Sequence, residues 1–273
     1  MRQERLFRTE GIVLRQRDYG EADRILTLLT PGGKITALAK GIRRATSRKA
    51  GHLELFAHSQ LMLARGRNFY IITQAESLES LEPLREDLLR FTYACYAAEL
   101  VDSFIQEGEE SSEPYGLLLQ ALHWFAQERD LRLWMRYFEL RLLRFSGYQP
   151  ELFTCVRCLA PLQAVENFFS AELGGVLCHR CGTQEPSAKA LSVNAHKVLR
   201  YLSTRSAAEV RNLRLHEGTH AEVETLLQHY IEYILERELK SVAFLRRLRR
   251  ELRALERERS LKGPSPSNPG ARI

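Results

Sequence analysis

Two Cys-x-x-Cys pairs, Cys155-Val156-Arg157-Cys158 and Cys178-His179-Arg180-Cys181, constrain this chain more than any other feature of it. Each pair can form a knuckle that presents two thiolates, and two knuckles around a glycine-containing, strand-like segment suit one tetrahedral zinc ion. The same residues could instead form two disulfides or serve as ordinary core thiols. Four sulfurs close a coordination shell, whereas a catalytic zinc keeps one position open for water. The expected cofactor is therefore one structural Zn2+ per chain, held by Cys155, Cys158, Cys178 and Cys181. His179 sits beside a ligand cysteine and could substitute in the shell. Of the five cysteines only Cys95 stands apart, in a helical stretch where it reads as a core thiol.

At 273 residues the chain is long enough for two or three units with cores of their own. No run of about eighteen apolar residues is present to span a membrane. Met1-Arg2-Gln3-Glu4-Arg5 has no apolar signal core behind it, so a soluble, cytoplasmic protein is expected. A reducing compartment favours zinc over disulfides. The net charge of +6 is moderate but unevenly spread. From Arg24 to Leu53 there is no Asp or Glu, while Lys34, Lys40, Arg43, Arg44, Arg48 and Lys49 fall there. A field of one sign attracts polyanions; the plainer alternative is a solvated basic loop.

Residues 11–80 read as short strands. Gly11–Arg17 runs into a turn at Tyr19–Ala22, followed by Asp23–Thr30, a Pro31-Gly32-Gly33 hairpin, and Lys34–Lys40. Leu55–Leu63 and Phe69–Glu76 add two strands, split by Arg65-Gly66-Arg67-Asn68. Five strands with no helix pattern between them suggest a small closed barrel of the OB type. Such barrels hold single strands with a basic groove and aromatic platforms, for which Tyr19, Phe69 and Tyr70 are candidates, though core positions suit them equally.

Pro83 marks entry to helices. Leu88, Phe91, Cys95, Ala98, Val101 and Ile105 form an apolar stripe, and helices are expected at Tyr115–Gln127 and Leu131–Phe145. In the latter, Arg132, Arg136, Arg141 and Arg144 read mostly as an outer solvated face. Pro150 and Pro186 bracket the zinc module, with Phe168–Ser170 and Gly174–Leu177 as a strand pair. Beyond it lie a helix through Leu191 and Leu202, then one long helix from Val223 through Phe244. Its Arg246–Arg259 end reads as a solvated charged face, and the Pro- and Ser-containing tail from Gly263 as disorder.

Three blocks carry a family likeness. Tyr19-Gly20-Glu21-Ala22-Asp23-Arg24 continues through Thr30 and Gly33-Lys34 to Ala39-Lys40-Gly41-Ile42-Arg43. Arg136-Tyr137-Phe138-Glu139-Leu140-Arg141 precedes Gly147-Tyr148 and the knuckles, and Leu239-Lys240-Ser241-Val242-Ala243-Phe244-Leu245 closes the order. In these blocks the chain resembles RecO, the bacterial DNA repair and recombination mediator family. The implied fold is multi-domain α+β: an N-terminal five-stranded OB-fold β-barrel (1–80), then an α-helical domain (81–149 and 187–260). A four-cysteine zinc module (150–186) is inserted in it, and a disordered tail occupies 261–273. The resemblance implies no enzymatic activity but binding of single- and double-stranded DNA, strand annealing, and work with RecR to load RecA onto SSB-coated single strands. Nucleoid association would follow.

Transferred onto this sequence, Lys40, Arg43, Arg44, Arg48 and Lys49 become the first phosphate contacts, with Arg15, Arg17, Arg24 and Lys34 as neighbours. Arg136 would receive the acidic C-terminal tail of SSB through its planar fork, and Tyr115 would line the apolar side of that pocket. No Gly-x-x-x-x-Gly-Lys-Ser/Thr phosphate loop is present, and annealing needs none. Two other classes remain: an RNA- or promoter-binding zinc-ribbon regulator, and a nuclease or deaminase. The latter is opposed by the closed sulfur shell and the scattered His52, His58, His123, His196, His216, His220 and His229.

Overall fold

The computed structural model describes residues 6–110 and 112–262, with side chains through residue 255. Five strands, β1 (Leu6–Tyr19), β2 (Asp23–Thr30), β3 (Gly33–Ala39), β4 (His58–Arg65) and β5 (Tyr70–Glu79), close into a barrel in the order β1-β2-β3-β5-β4. The strands alternate their side chains between two apolar surroundings. Val13, Leu26, Leu28, Leu61, Leu63 and Ile72 fill the barrel, while Ile12, Leu14 and Leu29 face outward against helices. β1 is longer than the sequence suggests because it serves two partners. Its first half pairs with β4, its second with β2, and the register shifts between Val13 and Arg15. At the Pro31-Gly32 hairpin, Gly33 is required: a Cβ there would lie 2.7 Å from the Glu109 carbonyl oxygen.

The pairing fixes which loops share an end. All pairs are antiparallel except the short parallel contact of β3 with β5. The β1–β2 turn and the loop at residues 40–57 therefore meet at one end. The β2–β3 turn and the β4–β5 hairpin lie at the other.

Nine helices follow among the described residues: α1 (Glu82–Glu86), α2 (Leu88–Phe104), α3 (Ser112–Gln127), α4 (Leu131–Phe145), α5 (His179–Gly182), α6 (Val193–Thr204), α7 (Ala207–Val210), α8 (Glu217–Leu235) and α9 (Lys240–Lys262). Asp87 and Asp130 accept hydrogen bonds from the first-turn N–H groups of α2 and α4, fixing where each begins. The cysteine segment adds β6 (Asn167–Ser170), β7 (Gly175–Leu177) and β8 (Lys189–Leu191), an antiparallel sheet ordered β7-β6-β8. Its third strand extends past Pro186, and Cys155, Cys178 and Cys181 share one apolar core with the helices on both sides.

Three expectations are corrected. The α2 stripe is not one face: Leu88 is exposed, whereas Thr92, Tyr93, Tyr96, Ala97 and Leu100 are buried, because α1, α3, α4, α9 and β1 surround the helix. The long C-terminal helix is two helices. Glu236 adopts a left-handed conformation (φ 51°) at the end of α8, and Glu99 of α2 accepts N–H bonds from Lys240 and Ser241 to start α9 anew. Finally, of the α4 arginines only Arg144 is exposed as expected; Arg136 is buried, and Arg132 and Arg141 are half-buried. The tail from Gly263 lies outside the described residues.

Candidate nucleic-acid interface and metal centre

The acid-free loop is pinned by its apolar residues. Ile42 and Leu53 are buried in the barrel core, while Arg43, Arg44 and Arg48 between them are turned outward. The β1–β2 turn braces it: Asp23 accepts the Gly41 N–H at 2.7 Å, and the Arg43 N–H donates to the Ala22 carbonyl at 2.9 Å. Asp18 pairs with Arg24 at 3.0 Å and Arg43 at 3.4 Å, which orders these two guanidiniums side by side. Among the described residues no carboxylate pairs with the exposed Arg17, Lys40, Arg44 or Arg48. Tyr19, 48% exposed, stands on the same rim. Such a rim suits phosphate oxygens, which carry no sequence information.

The remaining sequence candidates are placed differently. Lys49 is drawn inward: its ammonium donates to the Ile72 carbonyl at 3.0 Å, and burial lowers its pKa. Lys34 points away from the rim. Its ammonium bonds the Asp102 carboxylate at 3.0 Å and the Asp102 carbonyl at 2.6 Å, tying the barrel to α2. Arg15 lies near the same carboxylate, 3.8 Å away, but is largely exposed. Phe69 and Tyr70 are at the opposite end from the loop, with Tyr70 edge-on to Phe7 at 5.5 Å. They border a cavity of about 500 Å³ with Arg67 of the β4–β5 hairpin.

Arg136 and Tyr115, the pair expected to receive the tail, bond to different partners in the structure. Arg136 is 1% exposed, paired with Glu139 at 2.8 Å and donating to the Glu224 carbonyl at 3.3 Å. Glu139 also accepts the Tyr96 hydroxyl at 2.6 Å; burial pushes its carboxyl upward against the pull of Arg136 and Tyr96. Tyr115 bonds elsewhere, to His58 at 2.8 Å and Glu10 at 3.2 Å, where α3 meets the barrel. Neither side chain presents a free face to an incoming carboxylate. Arg132, by contrast, bridges Glu217 and Glu224 at 2.7 and 3.0 Å, and Arg141 stacks over Tyr137.

The four cysteine sulfurs converge, all within 4.8 Å of one another. Cys158 and Cys178 are 3.8 Å apart, and the Cys178 N–H points at the Cys155 sulfur from 3.3 Å. Arg157 reaches Glu185 and the Cys181 carbonyl, so the first knuckle is latched to the second. Gly182 permits the second knuckle to press on β6, since a Cβ there would lie 2.3 Å from the Phe168 ring. Burial raises the Cys155 thiol, but N–H groups of Cys158, Cys178 and Arg157 outweigh it and bring it to about 6. Cys181 goes the other way, to about 12, because burial and three neighbouring sulfurs oppose a second charge. Four sulfurs placed this close together can hold a metal ion.

Barrel, helical body and sulfur cluster together define an OB-fold protein of mixed barrel-and-helix architecture with a metal-type module. Residues 1–81 match the family described as "Recombination protein O N terminal", and residues 85–243 match "Recombination protein O C terminal". The chain is 44% identical over 250 residues to the DNA repair protein RecO of Roseiflexus sp. (strain RS-1), covering 92% of this chain and 88% of that one. It is 40% identical over 250 residues to that of Symbiobacterium thermophilum, and 38% over 244 residues to that of Dehalococcoides mccartyi (strain ATCC BAA-2100), covering 89% of this chain and 98% and 96% of theirs. The chain belongs to the RecO family of DNA repair proteins. No described helix is long and apolar enough to cross a membrane.

Proposed function

We propose that the protein is a DNA-binding recombination mediator. It anneals complementary single strands and, with RecR, helps load RecA onto single-stranded DNA coated by SSB. The observation that supports this most is the rim: an acid-free loop whose Lys40, Arg44 and Arg48 are exposed with no described carboxylate against them. Arg43 of the same loop and Arg17 and Arg24, on β1 and β2 beside the neighbouring turn, flank them. Annealing needs phosphate repulsion screened and base edges left open, which a cationic surface provides without nucleotide hydrolysis or any catalytic group. Residues 1–80 are the DNA-gripping unit in this reading, and the helices brace it and receive protein partners. Arg136 acts on the SSB tail only indirectly, by holding α4 to α8. The metal is zinc, one per chain, and its role is structural: Cys155, Cys158, Cys178 and Cys181 would hold it and keep residues 150–186 folded. The setting is the cytoplasm, close to the chromosome.

The test is an annealing assay on SSB-coated complementary strands. Arg44→Glu with Arg48→Glu should slow annealing by about tenfold or more through lost phosphate contacts. Annealing at the unaltered rate would refute the reading. Metal analysis of reductively purified protein should find one zinc per chain, and a zinc-free, fully folded protein would overturn that assignment.

A further inference from the structure

We propose that the face of α9 turned toward α8 is a second phosphate-binding surface, which holds one nucleic-acid strand while the barrel rim holds another. This rests on the DNA-binding reading above and adds to it a site on a different part of the molecule. The family match ends at residue 243, whereas α9 runs to Lys262, so the arginine-rich part of the helix lies beyond it.

α9 spends its apolar side on the core. Val242, Leu245 and Leu248 are buried in a row, in a helix packed against α2. The adjoining face carries Arg246, Arg249, Arg250 and Arg253, which line a groove of about 500 Å³ with Arg132 of α4. Two carboxylates of α8 organise it. Glu224 takes Arg249 and Arg132; Glu217 takes Arg253 at 2.8 Å and Arg132 at 2.7 Å. Arg246 donates to Gln228 at 2.6 Å, and among the described residues no carboxylate pairs with Arg250. Five arginines against two glutamates leave three positive charges in surplus. The glutamates hold the guanidinium forks in place without neutralising the groove, and such forks suit phosphate oxygens.

Two features favour a nucleic-acid backbone over an acidic peptide. Arg246, Arg250 and Arg253 repeat along one helix face over about 10 Å, and the sequence carries the spacing on to Arg257. That is a ladder, where a single carboxylate needs only one fork. The rest of the groove is Ala221, Thr225 and Gln228, with no aromatic pocket to anchor a peptide side chain. Two cationic surfaces on one chain would bring two strands together, as annealing requires.

Native mass spectrometry with a short oligothymidine reads the number of strands bound per chain. The intact protein should take up two, and Arg246→Ala with Arg250→Ala and Arg253→Ala should take up one. Arg44→Glu with Arg48→Glu should also take up one, at the α9 site. Arg247→Ala, whose side chain pairs with Glu251 outside the groove, should keep two. If the triple variant melts early, Arg250→Glu alone should weaken the second binding step by about tenfold. Uptake of two strands by a folded triple variant, or of one by the intact protein, would overturn the α9 site. The rim variant alone keeping two strands would instead sink the barrel reading. Loss of acidic-peptide capture by the triple variant with strand uptake unchanged would assign the groove to a protein partner and also overturn the proposal.

Discussion

The basic loop of the barrel and helix α4 are both rich in arginine, and they use it in opposite ways. Arg44 and Arg48 stand in water with no described carboxylate against them, while Arg136 is 1% exposed and locked to Glu139. What separates them is the distant chain. Ile42 and Leu53 sink into the barrel and leave their charged neighbours outside; Glu224, 88 residues beyond Arg136, closes over α4 and takes its arginines inside. A guanidinium is withdrawn from ligands where the fold buries it against an acid, and stays available where it is left at the surface.

The comparison breaks most visibly at Arg136. Arg136→Ala leaves Glu139 buried without its cation and should cost about 3–5 kcal/mol of stability, read by urea unfolding. A loss below about 0.5 kcal/mol, the range of ordinary surface changes, would put Arg136 in the same class as the rim. Glu224 supplies the next effect. Burial opposes its ionisation, yet Arg136, Arg249 and Arg132 hold its pKa down to about 2, against 4.5 when free. A depressed carboxylate stabilises above its unfolded pKa, so this contribution, about 2–3 kcal/mol, is lost as pH falls from about 4.5 toward 2. Unfolding at pH 7 and pH 3 should show a smaller drop for Glu224→Gln than for the intact protein; equal drops would remove Glu224 from the account. Lys34→Ala is the smallest. Severing its contacts with Asp102 should cost about 1 kcal/mol, with oligonucleotide affinity held within about twofold.

Much of this was legible in sequence because it is local. Leu131–Phe145 was bounded correctly since Asp130 caps it, and Pro31-Gly32-Gly33 announced its hairpin. The cysteine spacing implied convergence, and the sulfurs converge. What escaped was set by tertiary contact. Nothing near Arg136 reveals Glu224, nothing near Lys34 reveals Asp102, and the break at Glu236 depends on Glu99 capping the next helix from α2. Tyr19, Phe69 and Tyr70 were equally candidates for stacking beside a basic groove or for the core, but strand direction puts Phe69 and Tyr70 at the end opposite the basic loop.

The most direct test is the salt dependence of single-stranded oligonucleotide binding, comparing the intact protein with Arg44→Glu plus Arg48→Glu. Binding by the rim predicts a steep loss of affinity with salt, and in the variant a weaker affinity with a slope shallower by about one or more, at unchanged thermal stability. An identical slope and affinity in the two proteins would contradict it.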